Sequence, residues 1–112
     1  MLLGSVGCDA TRPHVIIVVV DTLRADRVGV TGGRPGLTPF LDELAATGVV
    51  FRNAYSTSSW TSPAVASLFT SRYPSQHQVG TFASRLSDTE ETLGERLHAA
   101  GWRGIGMVAN FR

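Results

Sequence analysis

The run His14-Val15-Ile16-Ile17-Val18-Val19-Val20 constrains this chain more than any other stretch. An unbroken series of Val and Ile has no polar face, so it predicts a strand buried on both sides, as parallel strands are between layers of helices. The run ends in Asp21, which places a carboxylate at the C-terminal end of a buried strand, where open α/β sheets bind their ligands. Trp102-Arg103-Gly104-Ile105-Gly106-Met107-Val108-Ala109 reads as a second central strand. With helical patterns between them, the order is strand, helix, short segment, helix, helix, strand. This predicts an α/β fold, the N-terminal portion of a doubly wound, mainly parallel sheet that these residues leave incomplete.

The intervening segments carry helix punctuation. Asp21 through Gly36 is polar, turn-prone and loop-like. Thr38-Pro39 sets a cap followed by a first-turn proline; Phe40, Leu41, Leu44 and Ala45 then form an expected buried stripe, and Gly48 ends the helix. Residues 49–55 suggest a short extended segment. In Ser58-Ser59-Trp60-Thr61-Ser62-Pro63-Ala64-Val65-Ala66-Ser67-Leu68-Phe69-Thr70-Ser71-Arg72-Tyr73-Pro74, Ser62 and Pro63 read as cap and first helical residue, with Val65, Leu68 and Phe69 on one apolar face. The helix is expected to stop at Tyr73, before Pro74. Thr61 then stands just ahead of a helix N-terminus, whose N–H groups and positive dipole end favour an anion. A hydroxyl held there is a candidate nucleophile; the plainer reading is a helix start and nothing more.

After Pro74 a loop is expected, in which His77 is either simply exposed or faces a substrate. Ser87 through Glu90 fits a capping box for a helix with Leu93, Leu97 and Ala100 on its stripe and Gly101 after it. Asn110 and Arg112 follow the second strand at the ligand end of the sheet and could touch an anionic group. Trp60 and Trp102 read as core residues, and Asp26 as either a supporting carboxylate or a solvated ion pair with a neighbouring Arg.

Composition narrows the function classes. The 112 residues are 43% hydrophobic and 17% charged with a formal net charge of +1, which describes a globular chain and gives no sign of a nucleic-acid partner. Cys8 is the single cysteine, so no internal disulfide forms. Residues 1–12 read as a tail or signal remnant. Met1-Leu2-Leu3-Gly4-Ser5-Val6-Gly7-Cys8 resembles the end of a bacterial lipoprotein signal, which would lipidate Cys8 and anchor the protein in the cell envelope. Ser5 stands where Leu is usual and the positive leading segment is missing, so a plain tail on a cytoplasmic protein stays open.

Two stretches resemble the sulfatases of the alkaline phosphatase superfamily. Val18-Val19-Val20-Asp21-Thr22-Leu23-Arg24-Ala25-Asp26 is similar to their first strand and metal loop. Thr61 through Pro74 is similar to their nucleophile helix, a Cys or Ser, any residue, Pro, any residue, Arg, then an apolar helix into Thr-Gly-Arg-Tyr-Pro. Residues 37–45 and 48–55 resemble the connecting helix and strand, so the likeness runs from about residue 13 to the C-terminus. The resemblance implies a metal-dependent hydrolase of sulfuric or phosphoric esters, with Thr61 as nucleophile and both Asp21 and Thr61 on a divalent metal. Calcium is the family's implication; zinc, manganese and magnesium stay open. In the family the other ligands, an Asp with Asn or His, come from a later part of the chain than these residues match, so residues 13–112 are expected to be the N-terminal part of the catalytic domain and to hold half an active site.

The departures from the pattern have chemical content. Thr61 cannot become the formylglycine that sulfatases make from Cys or Ser, so none is expected, and the Thr-nucleophile branch is indicated. Val65 replaces the motif's Arg, Val108-Ala109-Asn110 stands where a sulfate-binding Lys is usual, and Thr22 replaces the second Asp of the carboxylate pair. Loss of two cations leans the expectation toward phosphoesters. The alternatives are a phosphoethanolamine-type transferase and a non-catalytic, truncated relative.

Overall fold

A computed structural model describes residues 14–81 and 83–109. Cys8, Asn110 and Arg112 therefore lie outside the described residues. The chain divides into two compact units, one ending at Asp42 and the other beginning at Glu43.

In the first unit, the segment expected to be a plain loop folds tightly. Two single-turn 3-10 helices, Ala25–Arg27 and Gly29–Thr31, are followed by α1, Pro39–Thr47, which runs on into the second unit. Thr38 and Asp42 hold the turns to the helix start: Gly29 N–H donates to Thr38 Oγ1 at 2.9 Å and Val30 N–H to Asp42 Oδ1 at 2.8 Å. Thr31 Oγ1 donates to the Ala25 carbonyl at 2.6 Å. A Cβ on Gly29 would crowd the Asp42 carboxylate, and one on Gly33 would come within 2.8 Å of the Val28 backbone, so the close approach of the backbone requires glycine at Gly33.

The second unit contains α2 (Thr61–Thr70), α3 (Pro74–His77) and α4 (Leu93–Ala99), with α2 packed on both of the others. Ser71 stops α2 in the left-handed region at φ 58, the position where the family pattern has Gly. Pro74 then opens α3 at its first position, where its missing N–H costs nothing. Gln78 ends that helix, also left-handed, with its side-chain amide turned back on the Ser75 carbonyl. Arg72 pairs with the largely buried carboxylate of Glu90 at 3.1 Å, tying the end of α2 to the turn before α4.

Several expectations are corrected. Among the described residues there are six helical elements and no strand. Residues 14–20 and 102–109 carry the apolar pattern of buried strands, yet Ile16 is 84% exposed and Met107 94%. A strand exists only by pairing, and neither run has a partner among the described residues, so the sheet is not formed there. The expected loop after Pro74 is α3. The α4 capping box lies between Thr92 and Glu95, with Thr92 N–H donating to Glu95 Oε2 at 2.7 Å, and Ser87 to Glu90 is only a turn. On α1, Phe40 and Leu44 are exposed and no residue is buried. The buried residues of α2 are Pro63 and Ser67, one turn apart, while Leu68 faces outward. Neither Trp60, half exposed, nor Trp102 is a core residue.

Candidate active site

Thr61 is the first residue of α2, with Trp60 as its extended N-cap, so it sits within the first turn and not ahead of it. The first intrahelical bond is Ala64 N–H to the Trp60 carbonyl at 3.1 Å. Pro63 therefore takes the last position whose N–H has no carbonyl of its own helix to meet, and the proline removes no bond. Thr61 and Ser62 are half-buried. Ser58 Oγ accepts from Trp60 N–H at 3.1 Å and Ser56 Oγ donates to the Ser58 carbonyl at 2.7 Å, so the serine run before the helix folds onto its own backbone.

Asp21, in the first unit, is exposed. The next residue, Thr22, has φ 57, which a β-branched residue rarely adopts, and its Oγ1 donates to the Asp21 carbonyl at 2.8 Å. Asp26 is a solvated partner of Arg24, with bonds of 2.8 and 2.7 Å, and the hydrogen bond from that guanidinium holds its carboxyl below the usual range. Of its two readings, the ion pair is the one observed.

His77 is buried at 2% exposure, not in a loop facing solvent. Its Nδ1 accepts from Val79 N–H at 3.1 Å, so Nε2 carries the ring proton and donates to Ser67 Oγ at 3.0 Å. This tautomer is the reverse of a base activating a serine, which would accept from the hydroxyl. The pair joins α2 to the end of α3, and both ring nitrogens are turned inward. The sequence reading missed it. Its signal was a Ser in the middle of an apolar helix, followed by a proline that starts a helix as readily as it stops one.

Beside Ser62, the other side of α2 borders an open cavity of about 490 Å³ lined chiefly by Val65, Ala66, Phe69, Val79 and Leu86. Val65 stands at the motif's Arg position, so this wall is apolar where the pattern carries a cation.

A divalent cation does not fit the described residues alone. No three His, Cys, Asp or Glu side chains come together among them. A hard cation such as calcium takes about six to eight oxygens, and Asp21 offers one carboxylate. No helix of the described residues is long and apolar enough to cross a membrane.

Residues 13–110 match the family model described as "Sulfatase". Among curated relatives, the chain is 35% identical over 110 residues to an N-acetylgalactosamine-6-O-sulfatase of Bacteroides thetaiotaomicron, covering 94% of this chain and 21% of the relative. It is 30% identical over 109 residues to a Delta 4,5-hexuronate-2-O-sulfatase of the same organism, covering 93% and 23%. It is also 37% identical over 97 residues, 82% of the chain and 19% of the relative, to the multifunctional alkaline phosphatase superfamily protein PehA of Trinickia caryophylli. The chain thus spans about a fifth of the length of these relatives. No solved structure matches it significantly.

Proposed function

The chain belongs to the sulfatase family, and on that basis we propose that it contributes the nucleophile half of an ester hydrolase site, with Thr61 as nucleophile and Asp21 as one ligand of a divalent metal. The observation that carries this reading is Thr61 as the first residue of α2, where the helix dipole favours the anion that attack requires. In the whole protein, residues 14–20 and 102–109 would be strands of an α/β sheet, which puts Asp21 at a strand end.

Sulfatases ordinarily use formylglycine, and Thr61 cannot supply one. Its oxygen would instead take the sulfuryl or phosphoryl group directly. The alcohol departs with the bonding electron pair and gains the proton that Thr61 gives up; water then hydrolyses the enzyme ester and restores the hydroxyl. The metal, when bound, would supply Lewis-acid chemistry; Asp21 and Thr61 would hold it together with ligands from outside the described residues. Asn110 and Arg112 would reach the anionic group. Cys8 remains the proposed site of membrane anchoring in the cell envelope.

Phosphoesters are the favoured substrates. Val65 leaves the wall beside the nucleophile helix apolar, without the motif's cation. The similarity to two carbohydrate sulfatases supports sulfate esters as the second reading.

The test is turnover of aryl sulfate, phosphomonoester and phosphodiester substrates by the whole protein, with and without chelator, beside Thr61→Ala. Metal-dependent phosphoester turnover that falls at least about a thousandfold in the variant is expected, the scale of removing a covalent nucleophile. Turnover unchanged by Thr61→Ala sinks the nucleophile assignment, and sulfate turnover alone reverses the substrate preference.

A further inference from the structure

We propose that Ser67 and His77 form a positioning device that sets the rotation of α2 about its axis and thereby the direction in which Thr61 presents its hydroxyl; this rests on the reading of Thr61 as nucleophile. The two residues are 6% and 2% exposed, and the ring bridges Ser67 Oγ on α2 to the Val79 amide beyond α3.

The helix is held differently on its two sides. Val65, Ala66 and Phe69 border the 490 Å³ cavity, where apolar contact is non-directional and open space permits sliding. Ser67 is held by a hydrogen bond that weakens steeply as its angle departs from linear, so it tolerates little rotation. A buried polar pair with each ring nitrogen engaged also selects one arrangement over near alternatives. Thr61 lies six residues before Ser67 on the same helix, about 9 Å along the axis, and a rigid helix carries a rotation over that length undiminished. A turn of about 20° displaces a side-chain oxygen by about 1 Å or more, and misplacement on that scale costs a reacting group about a hundredfold.

Two substitutions separate positioning from mere stability in the whole protein. His77→Asn keeps an acceptor near Nδ1 for the Val79 amide and loses the donor to Ser67. His77→Gln places an amide nitrogen near Nε2 and can restore that donor. Steady-state kinetics on whichever ester the wild type turns over, together with amide hydrogen exchange, give the readouts.

The expected result is that His77→Asn lowers kcat about ten- to a hundredfold with KM unchanged. Exchange should quicken at residues 64–66 and not in α4, and His77→Gln should recover most of the kcat. Wild-type kcat in both variants overturns the proposal. So does equal faster exchange in α2 and α4, the mark of general destabilisation. Absence of turnover in the wild type would fail the nucleophile reading alone; the exchange pattern then decides whether the pair orients α2, loosening confined to that helix supporting it and any other pattern overturning it.

Discussion

In the corner between α2 and α3 the buried side chains are polar, whereas along residues 14–20 and 102–109 the exposed side chains are apolar. His77 and Ser67 are almost wholly covered, while Ile16, Val18, Ile105 and Val108 are each about four-fifths exposed or more, at 84%, 79%, 93% and 81%. The corner finds its partners within ten residues: Ser67 Oγ meets His77 Nε2, and His77 Nδ1 meets the Val79 amide. A strand meets its partners across a sheet, at sequence distances that local residues cannot supply. Local pairing therefore completes a polar cluster here while two strongly apolar runs stay uncovered.

The largest expected effect breaks the corner. Ser67→Ala removes the acceptor and leaves the Nε2 proton buried without a partner, which should destabilise the chain by about 1–3 kcal/mol in urea unfolding. If the orphaned donor is the cause, adding His77→Leu recovers part of that loss, because both polar groups are then gone. A double variant as unstable as the sum of the two singles would mean that packing volume, and not the hydrogen bond, holds the corner.

How far the chain was legible follows the same division. Thr38-Pro39 marked the start of α1 and Gly48 its end, because caps and prolines act through the nearest backbone. The same local rule placed Thr61 at the head of a helix, although the helix starts two residues earlier than expected, at Thr61 and not at Pro63. The buried side of α2 was misread from the same residues, since apolar spacing pointed to Val65, Leu68 and Phe69, whereas α3 folds back on Ser67. Nothing in a single helix period reveals that a histidine ten residues later will return to it. The tight fold of the first unit was illegible for a related reason: Gly29, Val30 and Thr31 look like loop by composition, and their order comes from bonds to Thr38, Asp42 and Ala25. Asp21 was singled out through the family pattern, and among the described residues no three His, Cys, Asp or Glu side chains gather that could hold a metal ion.

A smaller effect tests the other local cluster. Thr92 and Glu95 cap α4 reciprocally, and the Thr92 amide, followed by its hydroxyl, holds the Glu95 carboxyl below its ordinary range. Thr92→Ala should cost about 1 kcal/mol. A depressed carboxyl stabilises the folded chain above its unfolded pKa, near the ordinary Glu value of about 4.3, and that contribution is lost as pH falls through the lower, folded value. Circular dichroism between neutral and acid pH should show α4 fraying in the wild type, and the variant should lose this part of the acid response. An identical acid profile in both would show that the box contributes nothing in solution.

The smallest effect belongs to the apolar runs, and it separates the chain from the whole protein. Ile105 is 93% exposed, so Ile105→Thr in the 112-residue chain removes almost no buried surface and should shift stability by less than about 0.5 kcal/mol. In the whole protein, the proposed sheet would cover this side chain, and the same substitution should then cost about 1–3 kcal/mol through lost burial and an added hydroxyl. The difference between the two measurements reports directly whether residues 102–109 gain strand partners outside the described residues. Equal, near-zero effects in both would remove the reason for placing this run in a sheet. A large effect already present in the shorter chain would show that its own residues cover Ile105 in solution, and the contrast with the α2–α3 corner would disappear.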